Sequence, residues 1–229
     1  MKRVIIIFIV LLATTAAAAN AQFFVEGSVG ASYWGGTYSF DGTDKDNISS
    51  HSLTVSPLAG YCLNEKLALG VSASLIRKTE SYFSVFPNGD VVLGKSKSSG
   101  WSLDVLGRYK LSGWKKFSFL VESSVYMSKL AYEDKSESTT TRNETRSSIG
   151  VKVLPLISND LSGRFSIVAS SDFLSLNLYY SDIYYMDRER DAEIKTGYWH
   201  FEFAGQSAIV NSLSNIKIGV IYHFKNSGK

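Results

Sequence analysis

Apolar and polar residues alternate with a period of two along most of the chain after residue 22. In residues 216–224, "IKIGVIYHF", Ile216 and Ile218 fall on one side, and Lys217 and Gly219 fall on the other. Successive side chains of a β-strand point to opposite faces, so this pattern predicts a strand with one apolar and one polar face. Seven more segments repeat it: 23–34, 50–62, 67–78, 100–110, 117–128, 148–157 and 164–176. We therefore predict an all-β chain.

The strand number has two readings. The stretch from Tyr198 to Phe224 is too long for one ordinary strand. It forms either one long bulged strand, which gives eight strands, or an additional pair, which gives ten. Both termini of such a barrel lie on one side, which requires an even number. We predict an eight-stranded antiparallel up-and-down barrel, with ten strands as the alternative.

The connections between strands alternate between short and long. Short turns, "LNEK", "LSGWKK" and "SNDLSG", follow the second, fourth and sixth strands. Long polar segments follow the odd strands, at residues 35–47, 80–97, 131–147 and roughly 177–197. A soluble barrel has no reason to place all its long loops at one end. An outer-membrane barrel has periplasmic turns and longer extracellular loops, so the spacing favours a membrane-spanning barrel.

Charge distinguishes the two faces of the strands. The apolar faces are nearly free of charge, and an Arg or Lys facing lipid at mid-membrane costs about 2–4 kcal/mol. An eight-stranded barrel is just wide enough for side chains to fill its interior. We therefore expect the polar faces to line the lumen and predict eight lumen charges: Glu26, Asp104, Arg108, Glu122, Lys152, Arg164, Asp172 and Lys217. Arg108 and Glu122 lie near a shared turn, and we expect them to form a diagonal ion pair.

Two prolines interrupt the predicted ladders. Pro57 and Pro155 lie on the apolar faces of the second and sixth strands, each shortly before a turn. Proline cannot donate a ladder hydrogen bond, and an interior barrel strand has a neighbour on each side. We expect a bulge or an early end of the ladder at both positions.

The N-terminus indicates export. Lys2 and Arg3 precede an apolar run from Val4 to Ala13, and "ANA" follows at residues 19–21. This order is typical of a removable signal peptide, and the run is too short to span a bilayer as a helix. We predict a signal peptide at residues 1–21 and one outer-membrane barrel domain at residues 22–229.

Composition excludes some partners and a disulfide. Removing Lys2 and Arg3 from the 24 Lys and Arg residues leaves 22 bases against 21 acids. This balance gives no argument for nucleic-acid binding. The chain has one cysteine, Cys62, so an intrachain disulfide cannot form.

Three stretches carry a resemblance to a known family. They are "SPLAGYCLNEKLALGVSASL", "VLGRYKL" followed by "FSFLVESSVY", and the closing "IGVIYHF". The chain resembles the small outer-membrane β-barrel proteins of the "outer membrane protein beta-barrel domain" type, common in Gram-negative Bacteroidota. The resemblance covers residues 22–224. It implies an outer-membrane location among lipid and lipopolysaccharide. Phe224, at the end of the closing stretch and followed by "KNSGK", resembles the aromatic signal read by the barrel-assembly machinery, which would be a partner during biogenesis.

Little in the sequence indicates catalysis or a cofactor. His51, His200 and His223 lack a second His or Cys at metal-ligand spacing. Some outer-membrane lipid A deacylases are eight-stranded and use a His and a Ser, but Ser50 and Ser52 point to the face opposite His51. We expect no cofactor and a non-enzymatic scaffold whose loops meet the outside, with an unidentified extracellular partner. The alternatives are a narrow pore or carrier for small solutes, an outer-leaflet lipid-modifying enzyme and a soluble lipocalin-like barrel.

Overall fold

The chain folds as an antiparallel β-structure. The computed structural model describes residues 22–40, 44–85, 91–136, 142–171, 175–187, 192–203 and 216–224, so the predicted signal peptide lies outside the described residues. Within the described part, no helix is long and apolar enough to cross a membrane. The described residues form ten strands: β1 (Gln22–Phe40), β2 (Asp44–Cys62), β3 (Leu67–Val85), β4 (Val91–Trp114), β5 (Phe117–Ser136), β6 (Arg142–Asp160), β7 (Phe165–Ser171), β8 (Leu176–Asp187), β9 (Ala192–Phe203) and β10 (Ile216–His223).

Eight of these strands close into a ring. Neighbouring strands pair in the order β1-β2-β3-β4-β5-β6-β7-β10, and β10 returns to β1 in antiparallel register from Phe24↔His223 to Ala31↔Ile216. Closure gives every strand of the ring two neighbours, which removes the exposed edges of an open sheet. The predicted eight-stranded antiparallel barrel is confirmed.

The two remaining strands, β8 and β9, form an additional hairpin. β6 pairs with β7 from Leu156 to Asp160 and with β8 from Glu144 to Val153. β9 pairs with β8 from Leu176↔Phe203 to Asp187↔Ala192. The described residues therefore contain ten strands in all, as in the alternative prediction, but only eight of them form the closed ring.

The predicted long loops are shorter than the sequence suggested. Much of the segments 35–47, 80–97 and 131–147 continues the strands, so that β1 to β6 are 19 to 24 residues long. Much of the segment 177–197 forms β8 and β9. The loop assignment was wrong because these segments lack a regular apolar alternation, although backbone pairing continues through them. We call the end with connections 63–66, 115–116 and 161–164 the turn end, and the opposite end the loop end.

The apolar faces point outward, as predicted. Leu75 is 68% exposed, and Val105, Val125 and Ile218 are also exposed, whereas the alternating serines at positions such as Ser56 are buried. A water-soluble barrel would bury its large apolar side chains instead. The outward face therefore has the composition of a surface in contact with lipid.

The outward apolar band has the height of a bilayer core. On β5 it runs from Phe117 to Met127, after which Lys129 faces outward. A transmembrane β-strand needs about 9–11 residues. Aromatic side chains border the band: Phe23, Phe117, Phe165 and Phe224 at the turn end, and Tyr33, Trp101 and Trp199 at the loop end. Aromatic belts at both interfaces are typical of membrane barrels.

Both prolines coincide with interrupted ladders. The β2–β3 pairing skips from Val55↔Leu75 to Leu58↔Ser72 without a change of register, so Pro57 lies in the gap. Pro155 lies where β6 changes partner from β7 to β8. The expected early end of a ladder is confirmed at Pro155, since the β6–β8 ladder ends at Val153. At Pro57 the expectation was wrong, because the ladder resumes at Leu58 in the same register, with neither a bulge nor an early end.

Substitutions on adjacent residues of β3 test the orientation. Val71 faces outward and Ser72 faces the interior, where its hydroxyl donates to Asp104. Val71→Arg places a charge in lipid and should destabilise the barrel by about 2–4 kcal/mol. Ser72→Arg places the charge beside Asp104 and should destabilise the barrel less.

The measurement is the folded fraction in lipid vesicles, read from heat-modified gel mobility. A larger loss for Ser72→Arg would argue against the orientation unless steric overfilling explains it. Bulky lipid-soluble maleimide labelling of Ser72→Cys, with none at Val71→Cys, would refute the orientation.

Candidate functional site

The barrel interior contains a polar cavity of about 340 Å³. Inward-facing residues from all eight strands of the ring line this cavity. Hydroxyl groups dominate the wall: Ser28, Ser52, Thr54, Ser56, Ser72, Ser74, Ser102, Ser124 and Ser170. The interior of an eight-stranded barrel is narrow enough for large side chains to fill it. The small polar side chains at these positions leave the space open.

A three-residue ion cluster crosses the interior. The Arg108 Nε donates to Glu122 Oε2 at 2.8 Å, and its Nη1 donates to Glu26 Oε2 at 2.5 Å. The three side chains are 7%, 13% and 3% exposed, in the order Arg108, Glu122 and Glu26. β4 and β5 are neighbours, but β1 is separated from β4 by two strands. Arg108 therefore connects opposite parts of the wall through the lumen.

The remaining charges of the cavity offset one another. Ser72 and Ser102 donate to Asp104 Oδ2 at 3.1 and 3.0 Å. Lys217 and Lys152 line the same cavity, and Lys217 is attracted electrostatically to Glu122 and Glu26. The cavity thus contains three acids and three bases. Balanced charge suits a narrow interior, where an uncompensated charge has lost much of its hydration.

The structure brings six of the eight predicted charges together: Glu26, Asp104, Arg108, Glu122, Lys152 and Lys217. Arg164 is a correction. It lies exposed in the 161–164 turn, because β6 ends at Asp160 and β7 starts only at Phe165. Asp172 lies outside the described residues.

The Arg108–Glu122 pair is present, but its predicted diagonal register is wrong. Arg108 lies directly opposite Glu122, and Asp104 lies opposite Tyr126. Two features cause the difference. The strands continue to Trp114 and Phe117, so residues 115–116 form the connection instead of the expected turn over residues 111–116. A register shift between Lys110 and Ser112 also adds one residue to β4. The second partner, Glu26, was predicted as a lumen charge but not as a partner of Arg108, because no strand pairing relates β1 to β4.

An apolar cluster fills the interior toward the turn end. It consists of Phe24, Leu58, Leu106, Leu154, Leu156, Val168 and Ile221, each at most 8% exposed. Leu154, Leu156 and Val168 also line the cavity and form its floor. A Cβ at Gly60 would collide with the Phe24 ring, so glycine is required for Phe24 to pack across β2. This floor was not predicted from the sequence, because serines and charged residues occupy most inward positions and give those faces a polar pattern.

A second polar cluster lies inside the barrel above the apolar band. Arg146 Nη2 donates to Glu144 Oε1 at 2.9 Å, and the guanidinium carbon lies 5.0 Å from the centre of the Tyr132 ring. Burial raises the pKa of the Tyr132 phenol, although the nearby Arg146 opposes the rise. Tyr132 therefore stays neutral near pH 7 and presents its ring to the cation.

The histidines provide no recognisable catalytic geometry in the described part of the chain. His51 packs against the Tyr33 ring at 4.9 Å, while Ser50 donates to Glu80 and Ser52 pairs with Ser32 on the other face. At the turn end, Ser166 Oγ lies 3.4 Å from His223 Nε2.

The Ser166 hydroxyl nevertheless donates to Asp160 at 2.7 Å, and the residue is 2% exposed. A nucleophile needs its proton directed to the base and access to substrate. The described residues also contain no group of His, Cys, Asp and Glu suited to a metal ion.

The fold class is that of a membrane-spanning antiparallel β-barrel, and solved structures of similar folds are known. A major outer membrane protein from Thermus thermophilus is 16% identical, with a TM-score of 0.44 over 90% of this chain and 100% of that one. Neisserial surface protein A is 12% identical, with a TM-score of 0.38 over 90% and 99%. Ail of Yersinia pestis is 14% identical, with a TM-score of 0.35 over 89% and 98%. No protein-family model and no curated protein matches the chain. The narrower resemblance to the Bacteroidota-type family therefore stays a prediction.

A mutant cycle tests the ion cluster. Removing one partner of a buried ion pair typically costs about 3–5 kcal/mol, because the remaining charge is uncompensated. Arg108→Ala leaves the carboxylates of Glu26 and Glu122 without their cation, so it should lower the free energy of unfolding more than Glu122→Ala does. Adding Glu122→Ala to Arg108→Ala should restore part of the lost stability. Arg164→Ala, in the exposed turn, is the matched control and should change little. The measurement is the free energy of unfolding in lipid vesicles. Additive losses for the two substitutions would show that the pair does not interact.

Proposed function

We propose that the protein is an integral outer-membrane β-barrel with a non-enzymatic role, a closed scaffold that presents extended hairpins outside the cell. The observation that carries the proposal is the combination of an outward apolar band with an interior closed by apolar side chains toward the turn end. The predicted signal peptide supports export. Outer-membrane lipid and lipopolysaccharide would surround the band, and the barrel-assembly machinery would recognise the closing strand β10 with Phe224, which follows it.

The interior supports a closed barrel rather than a pore. The cavity ends on Leu154, Leu156 and Val168, and further apolar side chains pack in the same cluster. Ions cross apolar constrictions poorly, because these exclude water. The Arg108 cluster adds an obstacle, since its contacts with Glu26 and Glu122 occupy the bore. This supports the scaffold over the pore or carrier alternative.

Catalysis has less support than a structural role. His51 faces outward beside Tyr33, whereas the hydroxyls of Ser50 and Ser52 contact inward groups. Ser166 is buried and donates to Asp160 instead of to His223. Both arrangements favour structural roles for these residues over the lipid-modifying alternative.

The loop-end hairpins favour presentation to the outside. β4 has 24 residues and β5 has 20, whereas about 9–11 residues span the bilayer core. Paired strands therefore continue beyond the apolar band, as β-ladders rather than as flexible coils. Their polar surface is suited to contact an extracellular partner, whose identity the sequence leaves open.

Planar-bilayer conductance tests the closed interior. We expect no steady conductance from the wild-type protein, because the floor excludes water. Leu58→Ser combined with Leu156→Ser makes the floor polar and should produce ion conductance. Leu161→Ser, in the exposed turn, is the control and should remain closed. Steady conductance from the wild-type protein at the level of the double variant would contradict the proposal and support the pore alternative.

A further inference from the structure

The outward face of β3, β4 and β5 carries a row of basic residues at the loop-end border of the apolar band. We propose that this row, which we call the basic border (Arg77, Lys95, Lys97 and Lys129), binds the phosphate groups of an outer-leaflet lipid. The proposal rests on the proposed insertion in the outer membrane and names one contact within it. The four side chains are exposed and lie on three adjacent strands.

Strand register places Arg77 beside Lys97. Arg77 lies opposite Ser99 and Lys97 lies opposite Thr79, so Arg77 and Lys97 are diagonal neighbours on one face, about 7–8 Å apart. Lys95 is the next outward residue of β4 toward the loop end. Lys129 lies opposite Trp101, and Ser99 separates Trp101 from Lys97 on that face, so Lys129 lies farther from Lys97 than Arg77 does. Long flexible side chains at these positions can direct their charges to a head group that carries more than one phosphate.

These cations lack internal partners. Among the described residues, none of the four takes part in an ion pair, whereas Lys195 pairs with Asp182 at 3.6 Å on the other side of the barrel. Glu133, opposite Lys97, is the single acid at the described outward positions of this border. The surface therefore has an excess of positive charge. An anion is the ligand that would offset it.

The height of the row favours a lipid over a soluble polyanion. Leu75 and Met127 are the outward residues next below Arg77 and Lys129, and Trp101 lies two outward positions below Lys97. All three belong to the apolar band. Lys and Arg at such a border keep their aliphatic stems on the apolar surface and extend their charged ends toward the head groups. A phosphorylated lipid has acyl chains for the apolar part and phosphate for the cations. A soluble polyanion would use the charges alone.

The other described outward positions of the border lack this arrangement. On β1 and β2 the outward positions at the border are Tyr33 and His51, whose rings pack together. On β8 and β9, Lys195 already forms an ion pair with Asp182. Lipid phosphate would therefore bind to one side of the barrel rather than evenly around it.

Native mass spectrometry of the full-length mature protein in neutral detergent tests the proposal. The probes are a glucosamine-disaccharide lipid with two phosphates and the same lipid without phosphate. The test variant combines Arg77→Gln, Lys97→Gln and Lys129→Gln. The control combines Lys66→Gln, Lys116→Gln and Lys195→Gln, which removes the same charge from exposed positions elsewhere.

We expect the test variant to bind the phosphorylated lipid roughly 100-fold more weakly, because three interfacial cations are lost. The control should bind like the wild-type protein, and the dephosphorylated lipid should bind all three proteins alike. Equal weakening in the control, or equal binding of both lipids to the wild-type protein, would overturn the proposal. So would unchanged binding by a folded test variant.

Salt provides a second measurement that needs no variant. Raising the electrolyte concentration should weaken wild-type binding of the phosphorylated lipid and leave that of the dephosphorylated lipid unchanged, because exposed charges are screened. A salt-independent preference would also overturn the proposal. Carbonate extraction of cell membranes separately tests insertion. If the protein stays in the membrane but binds both lipids equally, the proposed role of the basic border is wrong, whereas the proposed insertion of the barrel stands.

Discussion

The need to pair every backbone polar group inside a lipid bilayer governs this structure. No water is available there, so a sheet that spans the bilayer must close on itself. The pairing of β10 with both β1 and β7 completes that closure. Closure then determines the environment of each side chain, because every strand has one face toward lipid and one toward a narrow interior. The outward apolar band and the inward serines follow from this single requirement.

A narrow interior requires that its charges balance. Arg108 meets this requirement by binding one carboxylate on the neighbouring strand and another across the lumen. The contact with Glu26 joins parts of the wall that no strand pairing connects. The apolar floor beside it is buried away from water at the turn end. Together they give the barrel a packed base below a hydroxyl-lined cavity, and this base supports our proposal of a closed scaffold.

The ring was predictable from the sequence because period-two alternation and its charge asymmetry are local signals. The same reasoning failed where the signal was absent. The polar extensions of β1 to β6 lack alternation, so they resembled loops. The one-residue shift near Leu111 leaves no mark in the pattern of apolar positions, yet it moved Arg108 directly opposite Glu122. Contacts through the lumen, such as Arg108 with Glu26, depend on ring closure and cannot be obtained from adjacent strand pairs.

The account depends on one claim, that the apolar face of each strand contacts lipid. Spin labels placed singly at residues 101–106 of β4, in the protein reconstituted into lipid vesicles, test it most directly, through their collision rate with dissolved oxygen. Oxygen concentrates in the bilayer, so the rate should alternate along the strand, high at 101, 103 and 105 and low at 102, 104 and 106. The opposite phase would place the polar face toward lipid, and an absence of alternation would contradict a membrane-spanning strand.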